Sequence, residues 1–115
     1  MPSTQEKVDV VLIGSGIMSA TLGAMLTELQ PEWDIRVYEK LDYVAKESSD
    51  PWNNAGTGHS GFCELNYMPD PNDGTKPAAI ARQFQLSRQW WSHLAEAGLI
   101  EPSTFVHRTA HLNLV

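Results

Sequence analysis

The chain has 115 residues, with 8 basic and 14 acidic side chains and a formal net charge of −6 at neutral pH. This length predicts one small domain with a modest core, and the acidic balance argues against a nucleic-acid-binding surface, which requires a basic patch. The single cysteine, Cys63, excludes a disulfide within the chain and favours a reducing compartment.

The start of the chain shows no targeting signal. The first seven residues carry one acid and one base and no apolar core, unlike a signal peptide. The aliphatic run over residues 10–13 is far shorter than the roughly 20 apolar residues of a membrane-spanning helix. We expect a soluble chain, with association at a membrane surface left open.

The first 40 residues predict a strand, a helix and a second strand. Residues Val8–Ile13 are short and rich in β-branched residues and end at Gly14, as a buried strand does. Apolar residues at helical spacing follow until Pro31, which ends the helix: Met18, Leu22, Met25, Leu26 and Leu29. A second strand over residues 35–38 finishes at Glu39. Because a crossover helix joins the two strands, we expect them to be parallel, as in a βαβ unit.

The remainder predicts a long polar loop, a helix and short extended pieces. Residues 41–76 are predicted to be mostly loop, with a short helix over 43–47. Irregular segments of this length are uncommon in compact domains unless they bind something. A longer helix has Thr75 as its cap, Pro77 in its first turn and Gly98 as its C-cap. Its apolar face comprises Ile80, Phe84, Trp91 and Leu94. Residues 105–106 and 112–115 are expected to be extended.

A glycine-rich segment, Gly14-Ser15-Gly16-Ile17-Met18-Ser19, follows the first strand directly and opens the helix. The first glycine permits a tight turn, the second lets the backbone approach a pyrophosphate, and the helix N-terminus supplies free N–H groups. The third fingerprint position is Ser19 instead of glycine, which is a mild departure because serine is small. Gly23, four residues on, can relieve the same contact between helix and strand.

Glu39 stands at the end of the second strand, where dinucleotide-binding domains carry an acidic residue. Its carboxylate can accept hydrogen bonds from ribose hydroxyls and would repel a 2′-phosphate. Lys40 follows but does not replace the acid, so NADP is disfavoured. FAD and NAD share the ADP half, and the long polar loop favours the larger FAD. The alternatives are an ordinary glycine turn and a solvated acid at a strand end.

Several blocks together closely resemble the amino-terminal part of the malate:quinone oxidoreductase family. These are the glycine segment with Glu39, the pair Ser48-Ser49, the block Trp52-Asn53-Asn54-Ala55-Gly56-Thr57-Gly58-His59, and Cys63-Glu64-Leu65-Asn66-Tyr67. The resemblance extends from about Val8 to Val115. The last two blocks are its specific part, whereas the glycine segment alone would fit any flavoprotein of the wider superfamily.

The resemblance implies a fold and a reaction. The fold is α/β, an incomplete Rossmann-like βαβ FAD-binding domain of the glutathione-reductase-like flavoprotein type, with residues 1–115 as its amino-terminal part and the substrate domain largely absent. The reaction is FAD-dependent oxidation of malate to oxaloacetate in the tricarboxylic acid cycle, with electrons passed to a membrane quinone. The implied location is cytoplasmic, peripheral on the inner face of the bacterial cell membrane, and the chain alone is expected to be inactive.

The resemblance also implies which residues contact FAD. The residues expected at the pyrophosphate are Gly14, Gly16, Ile17, Met18 and Ser19. Glu39, with Lys40 beside it, is expected at the adenosine ribose. The residues expected on the flavin side are Ser48, Ser49, Asn54, Gly56, Thr57, Gly58 and His59.

Several residues keep two interpretations. His59 is a weak candidate for the catalytic base, and contact with the flavin or the backbone is the alternative. His59 and Cys63 have a spacing that could bind a metal, but no second pair of ligands supports one, so no metal is expected. Cys63 is interpreted as a small packed residue. Glu64 is an active-site acid or a surface carboxylate.

Two further groups of residues also have two possible interpretations. His107, Arg108 and His111 could recognise a carboxylate or form a polar connection, which we favour. One of Trp90 and Trp91 is expected in the core and the other against a domain outside this chain. For the whole chain, the competing hypotheses are an NAD-binding dehydrogenase module, another FAD-dependent 2-hydroxy acid oxidoreductase, and a non-catalytic protein that retains the fold.

Overall fold

A computed structural model of the chain describes residues 7–59, 65–110 and 112. The backbone divides into two compact units, Met1–Gly56 and Thr57–Val115, which are treated separately below. The interpretations of Cys63, Glu64 and His111, and of residues 113–115 as an extended piece, lie outside the described residues.

The first unit contains the predicted strand, helix and strand. Strand β1 covers Val10–Ile13, helix α1 covers Ile17–Leu29 and strand β2 covers Ile35–Tyr38. The two strands are parallel, with Val10 opposite Ile35 and Ile13 opposite Tyr38. The prediction of a parallel βαβ unit is confirmed, and the small α/β fold is compatible with part of a nucleotide-binding motif.

The ends of these elements follow from local hydrogen bonds. β1 starts two residues later than predicted, at the point where the N–H groups of Asp9 and Val10 both donate to the Asp34 carbonyl, at 3.1 and 3.2 Å. The Gln30 N–H donates to the Leu26 carbonyl at 2.8 Å, and Pro31 then prevents α1 from continuing.

Packing in the first unit centres on Leu12, whose side chain is only 8% exposed. The helix approaches it closely at Gly23, where an added Cβ would lie 3.2 Å from Leu12 Cδ1, so Gly23 has the packing role expected of it. The predicted modest core is wrong for the described residues. Met18 and Leu29 on α1 are 82% and 73% exposed, and Ile13, on the other face of the sheet from Leu12, is 79% exposed. Two strands offer too little surface to cover these side chains.

The loop after β2 contains turns and bends where a short helix over 43–47 was expected. Ala45 has a φ of +60°, in the left-handed region, which a right-handed helix excludes. The Asn54 side chain organises the following turn. Its amide nitrogen donates to the carbonyls of Ser48 and Asp50, at 2.9 and 2.8 Å, and its oxygen accepts the Gly56 N–H at 2.7 Å.

The second unit is built on helix α2, Thr75–Glu96, preceded by a 3₁₀ turn over Leu65–Tyr67. Its N-cap is Gly74, one residue before the predicted Thr75, because the Asp73 carboxylate accepts the Thr75 N–H at 3.0 Å. Pro77 is buried in the first turn, as expected. The predicted apolar face is confirmed. Beyond the first turn most positions of the helix are exposed, whereas four residues of this face are half-buried: Ile80, Phe84, Trp91 and Leu94. Neither helix of the described residues is long and apolar enough to cross a membrane.

The segment after α2 differs from the expected extended structure. Residues Pro102–Thr104 form a 3₁₀ turn, capped by the Glu101 carboxylate, which accepts the Ser103 N–H at 3.2 Å. Phe105 has a φ of −138° and a ψ of −12°, outside the extended region, and its ring meets Trp91 edge-on at 5.5 Å. Trp90 stacks on His93 at 5.4 Å. Both tryptophans are half-buried, so neither is a core residue in this unit.

Gly98 ends α2 in a Schellman motif. Its φ is +71°, its N–H donates to the Ala95 carbonyl at 2.9 Å, and the Leu99 N–H donates to the Leu94 carbonyl at 2.9 Å. Replacing Gly98 with alanine should lower the free energy of unfolding by about 1–2 kcal/mol, because an L-residue is strained at this φ. Urea denaturation measures this. Gly74→Asn is the comparison, since a Cβ there meets open space at a negative φ and asparagine is a favoured N-cap residue. An equal loss in both variants would contradict the prediction.

Candidate functional site

The first unit holds an open cavity of about 660 Å³ beside the N-terminus of α1. Its wall joins the glycine turn to the loop that follows β2, two segments that the sequence analysis assigned to one ligand. One part of the lining is apolar and the other carries hydroxyl and amide groups. The lining residues are Ser15, Gly16, Ile17, Ala20, Val37, Val44, Ala45, Ser48, Ser49 and Asn54.

The two glycines of the turn have different structural roles. Gly14 has a φ of +86°, and its N–H donates to the Tyr38 carbonyl at 2.7 Å, which ties the turn to the end of β2. Gly16 is the N-cap of α1 with an extended backbone. A Cβ at Gly16 would lie 3.2 Å from Ser49 Oγ, so glycine allows the loop to approach the turn here, and the approach of a pyrophosphate to the same backbone stays a prediction.

Ser49 caps α1 from a distant part of the chain. Its hydroxyl oxygen accepts the Ile17 N–H at 2.9 Å, across 32 positions in sequence. The first four N–H groups of a helix have no partner within the helix, and Gly16 offers no side chain for this purpose. The loop therefore supplies the cap that the glycine turn lacks.

Removing this cap should destabilise the first unit. Ser49→Ala is expected to lower the free energy of unfolding by about 1 kcal/mol, the usual cost of losing a hydroxyl cap. The neighbouring change Ser48→Ala is the matched control, because the hydrogen bond described for Ser48 uses its backbone carbonyl. Chemical denaturation of both variants tests the difference, and equal effects at the two serines would argue against the capping role.

Glu39 lies just beyond β2, and its carboxylate binds the glycine turn. Oε2 accepts both the Ser15 N–H, at 2.8 Å, and the Ser15 hydroxyl, at 2.7 Å. Oε1 accepts the Leu41 N–H at 3.0 Å. The Leu41 N–H, followed by the two donors of Ser15, lowers the pKa of Glu39 from 4.5 to about 2. Glu39 is therefore ionised at neutral pH, as a hydrogen-bond acceptor for ribose must be.

The lowered pKa predicts how stability depends on pH. The ionised Glu39 contributes stability that is fully present above its unfolded value of 4.5 and is lost as the pH falls towards about 2. We expect Glu39→Gln to have a lower urea midpoint than the unsubstituted chain at pH 7, and the two midpoints to converge near the lower pH. The pKa values of Asp9, Asp73 and Glu101 are also lowered. Both proteins contain these three carboxylates, so the difference between their urea midpoints reports the effect of Glu39. A gap that is constant with pH would contradict this assignment.

Comparison with known proteins gives the family of this chain. A family model described as malate:quinone oxidoreductase matches residues 6–115. The chain belongs to this family. It is 59% identical over 117 residues to a probable malate:quinone oxidoreductase of Leifsonia xyli, covering 97% of this chain and 24% of that protein. It is 54% identical to the proteins of the same name from Rhodococcus erythropolis and Exiguobacterium, covering 98% and 100% of this chain and 23% and 24% of theirs. The chain thus spans about a quarter of the length of these relatives.

The cavity includes only some of the residues expected at FAD. It brings together Gly16, Ile17, Ser48, Ser49 and Asn54. Met18 and Ser19 lie next to lining residues but, like Gly14, Glu39 and Lys40, are not among the lining residues themselves. Asn54 lines it, yet its amide makes the three loop hydrogen bonds described above, and Gly56, at a φ of +59°, accommodates that turn. Both positions therefore also serve the shape of the loop.

The last three expected residues, Thr57, Gly58 and His59, belong to the second unit. A Cβ at Gly58 would lie 3.0 Å from the Phe84 ring, so this glycine allows close contact with α2. The His59 ring stacks on Tyr67 at 6.0 Å, and Lys76 Nζ lies 5.1 Å from the centroid of the same tyrosine ring. The roles of His59 as a base or a flavin contact stay predictions.

Sequence reasoning missed the apolar wall of the cavity and the role of Ser15. Ala20 lies one helical turn after Gly16, and Val37 lies opposite Leu12 in the sheet, so their positions could have been inferred from periodicity. Val44 and Ala45 line the cavity where the loop turns with a left-handed backbone at Ala45, and no local sequence pattern indicates this turn. His107 and Arg108 are exposed in an irregular segment.

Proposed function

We propose that this chain binds the ADP half of FAD at the cavity beside α1, as the nucleotide-binding part of a malate:quinone oxidoreductase of the glutathione-reductase-like type. The observation that carries the proposal is one cavity lined by both the glycine turn and the serine-containing loop, in a chain of this family. The names of the relatives add malate and quinone as the substrates of the longer protein. We place that protein at the inner face of the bacterial cell membrane.

The donors at the cavity fit a diphosphate. The N-terminal end of α1 carries partial positive charge and outward-pointing N–H groups. Gly16 has no side chain to keep phosphate from the backbone, and the Ser49 hydroxyl lies at the same end of the cavity. No lysine or arginine lines the cavity among the described residues, so backbone dipoles and the Ser49 hydroxyl would hold the diphosphate.

The other parts of the cavity suit the adenosine. Val37, Ala20 and Val44 offer an apolar wall for a purine ring. The ionised Glu39 lies beside the turn, where it would accept a ribose hydroxyl and repel a 2′-phosphate. When bound, FAD supplies the acceptor for the hydride from malate. The residues described here would bind and orient it, and they include no assigned catalytic base.

A titration with three nucleotides tests the proposal. The purified chain is titrated with FAD, NAD and NADP by calorimetry, and its visible spectrum is recorded after gel filtration. We expect retained flavin absorption, weaker binding of NAD, and no binding of NADP. Binding of NAD in preference to FAD would favour a nicotinamide-dependent module. A cooperative fold with no response to any of the three would favour a non-catalytic protein.

The activity is tested on the longer protein. A full-length relative, for instance that of Leifsonia xyli, should reduce a quinone analogue when malate is added and should be recovered with the membrane fraction. The 115-residue chain alone should do neither, because holding a dicarboxylate against the flavin ring needs walls beyond one βαβ unit, even with the ADP half of FAD bound. Malate-dependent dye reduction by the isolated chain would overturn this part of the proposal.

A further inference from the structure

The turn between β1 and α1 depends on hydrogen bonds from other segments to hold one conformation. Ser15 is flanked by Gly14 and Gly16, and glycine loses more backbone freedom on ordering than any other residue. A turn with two glycines is therefore costly to hold in one conformation. Its two glycines are held by the bond from the Gly14 N–H to β2 and by the bond that the Gly16 carbonyl accepts from Ala20 in α1, and the bonds at Ser15 between them come from one carboxylate.

That carboxylate is Glu39, 24 positions away in sequence. Both donors of Ser15, its N–H and its hydroxyl, point at the same oxygen, Oε2. An ionised carboxylate has about four acceptor positions, two on each oxygen. Oε2 is fully used by Ser15, and Oε1 accepts the Leu41 N–H, with a weaker contribution from the Lys40 backbone. At most one acceptor position, on Oε1, remains for a ribose hydroxyl, so Glu39 can accept one such hydroxyl but not a pair.

We propose that Glu39 is a positioning residue that fixes the phosphate-binding turn through Ser15, in addition to any contact with ribose. That the turn binds phosphate rests on the proposed function, whereas the effect of Glu39 on the turn is a property of the ligand-free chain. Charge-assisted hydrogen bonds of this length are among the stronger ones in proteins. Glu39 thus prepares the backbone at Gly16 before a ligand arrives.

Amide hydrogen exchange of the ligand-free chain tests the effect on the turn. In Glu39→Gln, exchange at the amides of Ser15 and Gly16 should accelerate roughly tenfold, from the loss of hydrogen bonds to a charged acceptor, and by more than at the amides of β1 and β2, which change only with the overall stability of the unit. Glu47→Gln, the same change at an exposed acid of the same loop, should leave every rate unaltered. Unchanged rates in Glu39→Gln, or equal acceleration throughout the unit, would overturn the proposal.

A double-mutant cycle on FAD affinity separates positioning from direct contact. If Ser15 acts through Glu39, Ser15→Ala weakens FAD binding roughly tenfold in the unsubstituted chain and has no further effect in Glu39→Gln. Ser15→Thr keeps both donors and should bind FAD as the unsubstituted chain does. Independent losses that multiply would show that Ser15 binds the ligand directly and would overturn the proposal.

The two arms also distinguish this proposal from the proposed function. A chain that binds no FAD, yet loosens its turn in Glu39→Gln, would refute the nucleotide assignment and leave the positioning role intact. A chain that binds FAD, with a turn that Glu39→Gln does not alter, would refute only the positioning role.

Discussion

Gly16→Asp should abolish measurable FAD binding while leaving the chain folded. The Gly16 backbone has a φ of −73°, which aspartate can adopt; Ser49 Oγ must shift slightly from the new Cβ, and aspartate can itself cap α1. Its carboxylate would enter the cavity at the position where a Cβ is 3.2 Å from Ser49 Oγ. Two like charges about 4 Å apart repel by about 4 kcal/mol at an effective dielectric constant of about 20. This predicts a fall in affinity of at least about 100-fold, which calorimetry or flavin fluorescence can measure.

The chain offers a matched control for this substitution. Gly74 is also a glycine at a helix N-cap, but a Cβ there meets nothing within 4 Å and it lies in the second unit. Gly74→Asp should bind FAD with unchanged affinity, because aspartate is a favoured N-cap residue. FAD binding by Gly16→Asp at the original affinity would place the phosphates elsewhere. Loss in both variants would point to an effect on the whole chain.

Leu12→Ala should be the most destabilising substitution in the first unit. Among the described residues, Leu12 is the one large apolar side chain that is buried, and it packs on Gly23 of α1. Truncating a buried leucine costs about 2–5 kcal/mol, which is a large fraction of the stability of a small domain. Urea denaturation followed by tryptophan fluorescence measures the loss, and Leu12→Val provides a milder variant if Leu12→Ala does not fold.

Ile13→Ala is the control on the same strand. Its side chain is largely exposed on the opposite face, so the change should cost less than about 1 kcal/mol, the range of strand propensities. Equal destabilisation by Leu12→Ala and Ile13→Ala would mean that the packing between β1 and α1 does not stabilise this unit.

Local patterns in the sequence predicted the elements that position the site. The run of β-branched residues, the change to helical spacing at Ile17 and the stop at Pro31 all act within a few residues of the feature they determine. They placed α1 at its observed bounds and β1 within two residues of its start. The glycine turn was correct for the same reason, since its geometry depends on Gly14 and Gly16 themselves.

Features that depend on contacts between distant segments could not be predicted in this way. The residues at 43–47 have the composition of a helix, but Ala45 takes a left-handed conformation within the loop. Nothing local indicates that Ser49 caps a helix 32 positions away. The position of Glu39 at the end of β2 correctly indicated a hydrogen-bond acceptor, but spacing cannot tell that Ser15 is one of its donors.

The cap on Ile17 also has an electrical consequence. Many helices are capped by aspartate, whose negative charge would cancel the positive potential at the N-terminus. Ser49 is neutral, and a hydroxyl that accepts the Ile17 N–H still has a hydrogen of its own to donate. In a chain with a net charge of −6, Ser49 therefore adds no second negative charge to that of Glu39 at the end of α1 that an anion would approach. The association rate of such an anion should depend on this local potential more than on the overall charge of the chain.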